Sequence, residues 1–76
     1  MEKAEAVRVL HALLDEMEDE RREIFVMAEL EQMSIPEICA LTGDKMNTVY
    51  SRLRLAREDF ERGVARRRAR DAWRMR

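Results

Sequence analysis

Pro36 and Gly43, the only proline and the first of two glycines, fall together in the ten residues SIPEICALTG that begin at Ser34. Ser34 and Glu37 have the spacing of a capping box, in which the serine oxygen accepts from the Glu37 N–H and the glutamate accepts from the Ser34 N–H. Pro36 then sits in a first turn, where a missing N–H forfeits no helical bond. Gly43 can take the left-handed conformation that ends a helix, and Asp44 beside it is a ready cap for another. The span therefore predicts a helix of about eight residues from Ile35, a tight turn, and a second helix from Lys45, the outline of a helix-turn-helix.

Everything around this span favours helix. Of 76 residues 46% are apolar and 41% charged, with Ala, Leu, Met, Glu and Arg abundant, so the chain is expected to be all-α. A chain this short hides only about 60% of the surface its unfolded form exposes, which leaves one small core and no second lobe. From Glu2 to Met17, Val7, Leu10, Leu14 and Met17 recur at steps of three and four, with Ala6 and Leu13 widening the stripe. The stretch Asp15 to Glu20 has no breaker, so local chemistry leaves open whether the chain turns there; Asp19 is a candidate cap for a second helix carrying Ile24, Phe25, Met27, Ala28 and Leu30. In the helix after Gly43, the buried stripe is Met46, Val49, Leu53, Ala56, Phe60 and Val64. Asn47, Tyr50, Ser51, Arg54, Arg57 and Glu58 fall on other faces, and Arg52 flanks the stripe. Gly63 is a place where that helix is open to breaking or bending.

Charge is segregated. Residues 1–44 hold twelve acids and four bases, a net of −8, and residues 45–76 hold eleven bases and four acids, a net of +7. The basic part suits a polyanion; the plainer reading is that the two ends pair with each other or are solvated. Lone His11 lacks the companions zinc needs, Cys39 has the small size of a packing residue, and no nucleophile with a base, metal cluster or phosphate loop is present. The chain is thus expected not to be an enzyme and to need no cofactor. The longest apolar run, Ile24 to Ala28, is far short of the roughly 20 residues of a membrane span, and the N-terminus has no secretion-signal order, which points to the cytoplasm.

Arg22, Ile24, Phe25 and Met27, then Ser34, Glu37, Ile38 and Gly43, then TVYSRL with Ala56 and Arg57, together resemble region 4 of bacterial RNA polymerase sigma factors, especially the extracytoplasmic-function group. The resemblance spans roughly Leu14 to Phe60 without a gap. It implies a small four-helix domain, here residues 1–62 with the helix-turn-helix at 35–62, followed by an Arg-rich tail at 63–76. It also implies recognition of the promoter −35 element through the major groove, docking on the β flap of RNA polymerase, and an anti-sigma factor as a further partner. The residues expected to bind DNA are Lys45, Asn47, Thr48, Tyr50, Ser51, Arg52, Arg54 and Arg57.

Departures from the family pattern define a second reading. Met17-Glu18 replaces Leu-Pro, Thr42 and Asp44 stand where apolar residues close the turn, Lys45 and Asn47 replace proline and glycine, Tyr50 replaces lysine, and Leu55 replaces arginine. Each lost cation removes a phosphate contact. The alternative is a protein-interaction module with weakened DNA reading, bound by an anti-sigma factor or polymerase adaptor. A related four-helix output domain of dimeric response regulators is a third. Region 2 of such factors is missing from this sequence, so it reads as one domain of a longer factor or as a protein with another job. The tail offers arginines for phosphates and Trp73 as an anchor, with fraying as the default for a terminus.

Overall fold

The computed structural model describes residues 2–74, and its helices follow in the order α1 (Lys3–Asp15), α2 (Asp19–Phe25) continued by a π-helical turn (Val26–Leu30), α3 (Ile35–Thr42) and α4 (Met46–Arg74). No strand occurs among the described residues, as the composition predicts. Met1, Met75 and Arg76, which belong to the expected four-helix unit and tail, lie outside the described residues.

The chain does turn between α1 and α2, with an arginine taking the place of a proline as the device. Arg22 donates from Nε to the Leu14 carbonyl at 2.9 Å and from Nη2 to the Met17 carbonyl at 2.9 Å. The Leu14 carbonyl, which also accepts from the Met17 N–H at 3.1 Å, lies in the last turn of α1 and the Met17 carbonyl just past it, and a cation also suits the negative end of the helix dipole. Asp19 is not the side-chain cap of α2: Glu18 occupies the cap position, and the Asp19 carboxylate accepts from Arg22 instead. Replacing Arg22 by Ala is expected to cost about 1–3 kcal/mol in urea denaturation, since two charged hydrogen bonds vanish. Lysine should restore little of this, because its single ammonium lacks the fork that spans both carbonyls.

At the end of the π-helical turn, the Glu31 N–H bonds to the Val26 carbonyl at 2.9 Å, and Gln32 enters the left-handed region at φ 55°. The reversal delivers Ser34 to the start of α3 with both capping-box bonds formed. Ser34 Oγ accepts from the Glu37 N–H at 3.3 Å, and Glu37 Oε1 accepts from the Ser34 N–H at 3.0 Å. The Ser34 N–H first, and the Ser34 hydroxyl beside it, hold the Glu37 carboxyl below its ordinary value. A depressed folded-state value contributes stability that is present above the unfolded value of about 4.3 and is lost as pH falls through the folded one. Thermal melts between about pH 6 and 3 should accordingly show a steeper acid loss for the native chain than for Glu37→Gln, whose amide accepts the same bond without titrating.

α3 ends at Gly43 with φ 79° and its N–H bonded to the Cys39 carbonyl. Nothing lies within 4 Å of a Cβ built there, so an alanine would suffer backbone strain alone, about 1–2 kcal/mol. Thr42, an exception to the family pattern, ties the turn through its hydroxyl, which donates to the Ile38 carbonyl and accepts from the Asp44 N–H. Asp44, the expected cap of α4, is engaged across the turn. Its carboxylate accepts from Arg52 at 2.9 Å, and α4 begins one residue later than predicted, at Met46.

Two apolar clusters hold these helices together. Ile24, Met27, Ile38, Val49 and Leu53 join the helix-turn-helix to α2, with Cys39 and Ile35 packed against them. Leu14, Met17, Phe25 and Ala56 join α1 to α2 and α4, extended by Leu10 and Phe60, and the Phe25 and Phe60 rings stack with centroids 5.0 Å apart. Val7, Leu30, Leu41 and Met46, all apolar by pattern, remain substantially exposed. Leu30, Leu41 and Met46 sit at or next to helix ends.

Gly63 neither breaks nor bends the chain out of helix: α4 runs through it as one 29-residue rod, about 43 Å long at 1.5 Å per residue. That rod sets the 48 Å long axis and the 14.3 Å radius of gyration, where a compact chain of this length would have about 11 Å. Gly63 is buried, and a Cβ there would come within 2.5 Å of a Leu13 methyl. The glycine is what lets α1 lie against the far half of α4.

Candidate nucleic-acid interface

Burial of Val49, Leu53 and Ala56 fixes the rotation of α4, and with it the direction of every other side chain in its first three turns. The side opposite this buried stripe carries Asn47, Ser51 and Arg54, all exposed. Tyr50 (53% exposed) and Arg57 lie on one flank, and Thr48 and Arg52, both half-buried, on the other. Lys45 is exposed in the turn just before the helix.

The structure therefore divides the eight expected residues. Tyr50, Ser51, Arg54 and Arg57 line one open groove of about 630 Å³ beside Ile35, at the start of α3. Asn47 and Lys45 extend the same solvent-facing side toward the turn. Arg52 does not join them. Its two terminal nitrogens reach Asp44 at 2.9 Å and Glu20 at 3.1 Å, across the turn and on α2.

Arg54 and Arg57 of this face are also engaged, but loosely. Arg57 Nε donates to Glu29 of the π-helical turn at 2.5 Å, and Arg54 meets Glu58 one turn on at 3.3 Å. Exposed pairs of this kind contribute about 0–1 kcal/mol, so a phosphate is free to exchange for the carboxylate. Further along, Arg66 pairs with Glu16 at 3.0 Å, Arg62 with Asp59, and Asp59 in turn with Arg21 at 2.9 Å. The segregated charges of the sequence are thus partly consumed inside the fold, as the plainer reading held.

Local sequence gave no notice of Glu20 and Glu29 as partners of Arg52 and Arg57, because each pair spans about thirty positions. Arg22 was visible as part of a family pattern, but not as the clasp on α1. No group of His, Cys, Asp or Glu suited to a metal ion is present among the described residues, and no described helix is long and apolar enough to cross a membrane.

A short scaffold helix, a glycine turn and a cationic second helix, laid over a preceding helix pair, form the architecture of a duplex-reading module. Neither the curated proteins nor the solved structures searched contain a match to the chain. Among protein families, the model described as Sigma-70, region 4 matches residues 8–60, which run from α1 to the middle of α4 and include both apolar clusters. The chain belongs to the sigma-70 region 4 family, the DNA-binding domain of sigma factors.

Proposed function

We propose that this domain reads the −35 element of promoters, with the first turns of α4 in the major groove, and docks on the β flap of RNA polymerase to direct transcription initiation. The observation that carries the reading is the exposed Asn47, Ser51 and Arg54 face of α4, flanked by Tyr50 and Arg57, within the segment that matches the family. Asn47, Ser51 and Arg54 are the residues for base edges: arginine suits guanine, and asparagine suits adenine. Lys45, Thr48, Tyr50 and Arg57 suit phosphates, which fix register without carrying sequence. Arg52 serves either role only after leaving Asp44 and Glu20.

Titration of −35-type and scrambled duplexes at stepped salt concentrations tests this. Arg57→Ala should weaken both duplexes alike and lower the salt slope by about one. Arg54→Ala should cost about 1–3 kcal/mol on the −35 duplex and much less on the scrambled one. Binding that ignores salt would sink the proposal.

The engagement of Arg52, Arg54 and Arg57 by carboxylates favours a second reading, a protein-interaction module held by an anti-sigma factor or polymerase adaptor. Under that reading a gel shift fails with every duplex while a pulldown with the partner succeeds.

A further inference from the structure

The end of α4 beyond Phe60 lies outside the segment that matches the family, yet it builds a second concave surface with α1. Leu10 and Leu13 of α1, with Phe60 and Val64 of α4, form the floor of a groove of about 430 Å³, and Arg67, Arg68 and Arg74 line it from the α4 side. Arg67 Nε is buried with no hydrogen-bond partner, and Arg68 and Arg74 have no ion pair among the described residues. Residues 61–74 carry six arginines against Glu61 and Asp71. An apolar floor beside cations without an ion pair among the described residues is half of a recognition surface.

We propose that this groove receives an acidic amphipathic helix of a protein partner, its apolar side chains on the Leu10, Leu13, Phe60 and Val64 floor and its carboxylates on Arg67, Arg68 and Arg74. Helix-in-groove binding uses apolar anchors at steps of three and four, and the trough between two helices suits that spacing. The floor argues against nucleic acid, whose outer surface is phosphate and sugar and has nothing to bury there. Glu5 and Asp71 also line the groove, and they repel a uniformly anionic polymer more than a helix whose carboxylates are spaced along one side. Arg67 is thirteen residues, about 20 Å, along the rod from Arg54, so the two surfaces can be occupied together.

The test uses the full chain and a labelled, N-acetylated 18-residue peptide with leucine at positions i, i+3, i+4 and i+7 of each two turns and glutamate elsewhere. Fluorescence anisotropy should show saturable binding that survives a saturating −35 duplex. The Arg67→Gln/Arg68→Gln double variant should lose roughly tenfold or more in peptide affinity while binding the duplex as before. Absence of saturable binding, equal affinity in the double variant, or equal affinity for a lysine-for-glutamate peptide overturns the proposal. So does displacement of the peptide by duplex, or loss of duplex binding in the variant, either of which assigns the groove to nucleic acid. A sedimentation experiment in which the free chain is a dimer that the peptide cannot enter assigns it to a second copy and likewise overturns it. Failure of the duplex arm alone speaks against the −35 reading and leaves the groove standing.

Discussion

Ile38→Ala is expected to lower stability by about 2–5 kcal/mol, the usual cost of emptying a fully buried aliphatic site. Ile38 has no exposed surface and packs with Ile24, Met27, Val49 and Leu53, so its removal opens a void where α2, α3 and α4 meet. At about 0.05–0.15 kcal/mol per residue, a chain of 76 has only about 4–11 kcal/mol in total. The variant should therefore melt about 8–40 °C lower, given about 4–8 °C per kcal/mol for a domain of this size. Function should fall with it, because this cluster sets the angle at which α4 is held against α3. A loss below about 1 kcal/mol in urea denaturation would mean that the site collapses freely and that the helix-turn-helix angle rests on something else.

Gly63→Leu should act at the other end of the molecule. The Leu13 methyl would stand 2.5 Å from even the first carbon of a new side chain, and Leu13 is itself only 3% exposed. Overpacking of this kind costs about 1–3 kcal/mol, and here it would lift α1 from α4 while the Ile38 cluster stays closed. Hydrogen exchange should consequently lose protection first in Lys3–Asp15 and last in Ile35–Thr42. Gly63→Ala is the informative contrast. Its gain of about 1 kcal/mol in helix propensity opposes a clash with one rotatable methyl, so the net change should be near zero. Leu13→Ala, combined with Gly63→Leu, should recover part of the loss by making room. If Gly63→Leu is as stable as the native chain, α1 does not lie on this face of α4. The acidic-helix groove would lose its floor with it.

The helix-turn-helix was legible residue by residue because its signals are local. Ser34, Pro36, Glu37 and Gly43 each act within one turn of chain, through a donor, a missing donor or a permitted backbone angle, and α3 begins at Ile35 as those rules require. The turn between α1 and α2 was not legible from local rules, since the carbonyls of Leu14 and Met17 are answered by Arg22, five to eight residues on. The binding face was legible in part. The apolar period of α4 put Asn47, Ser51 and Arg54 outward, and they are exposed, but no period records that Glu20 and Asp44 pull Arg52 aside.

Gly63 separates the two kinds of information most clearly. By composition it is the second helix breaker of the chain, yet the helix continues through it because burying Leu13 against its bare backbone outweighs about 1 kcal/mol of propensity. The sequence by itself determined the helical class, the capping box, the left-handed turn and the outward face of the first turns of α4. All of these follow from bonds and angles within a few residues. Only the tertiary structure decided where the charges go, how α1 lies on α4 and which arginines keep an unspent donor, because each of those depends on side chains that folding brings together from distant parts of the chain.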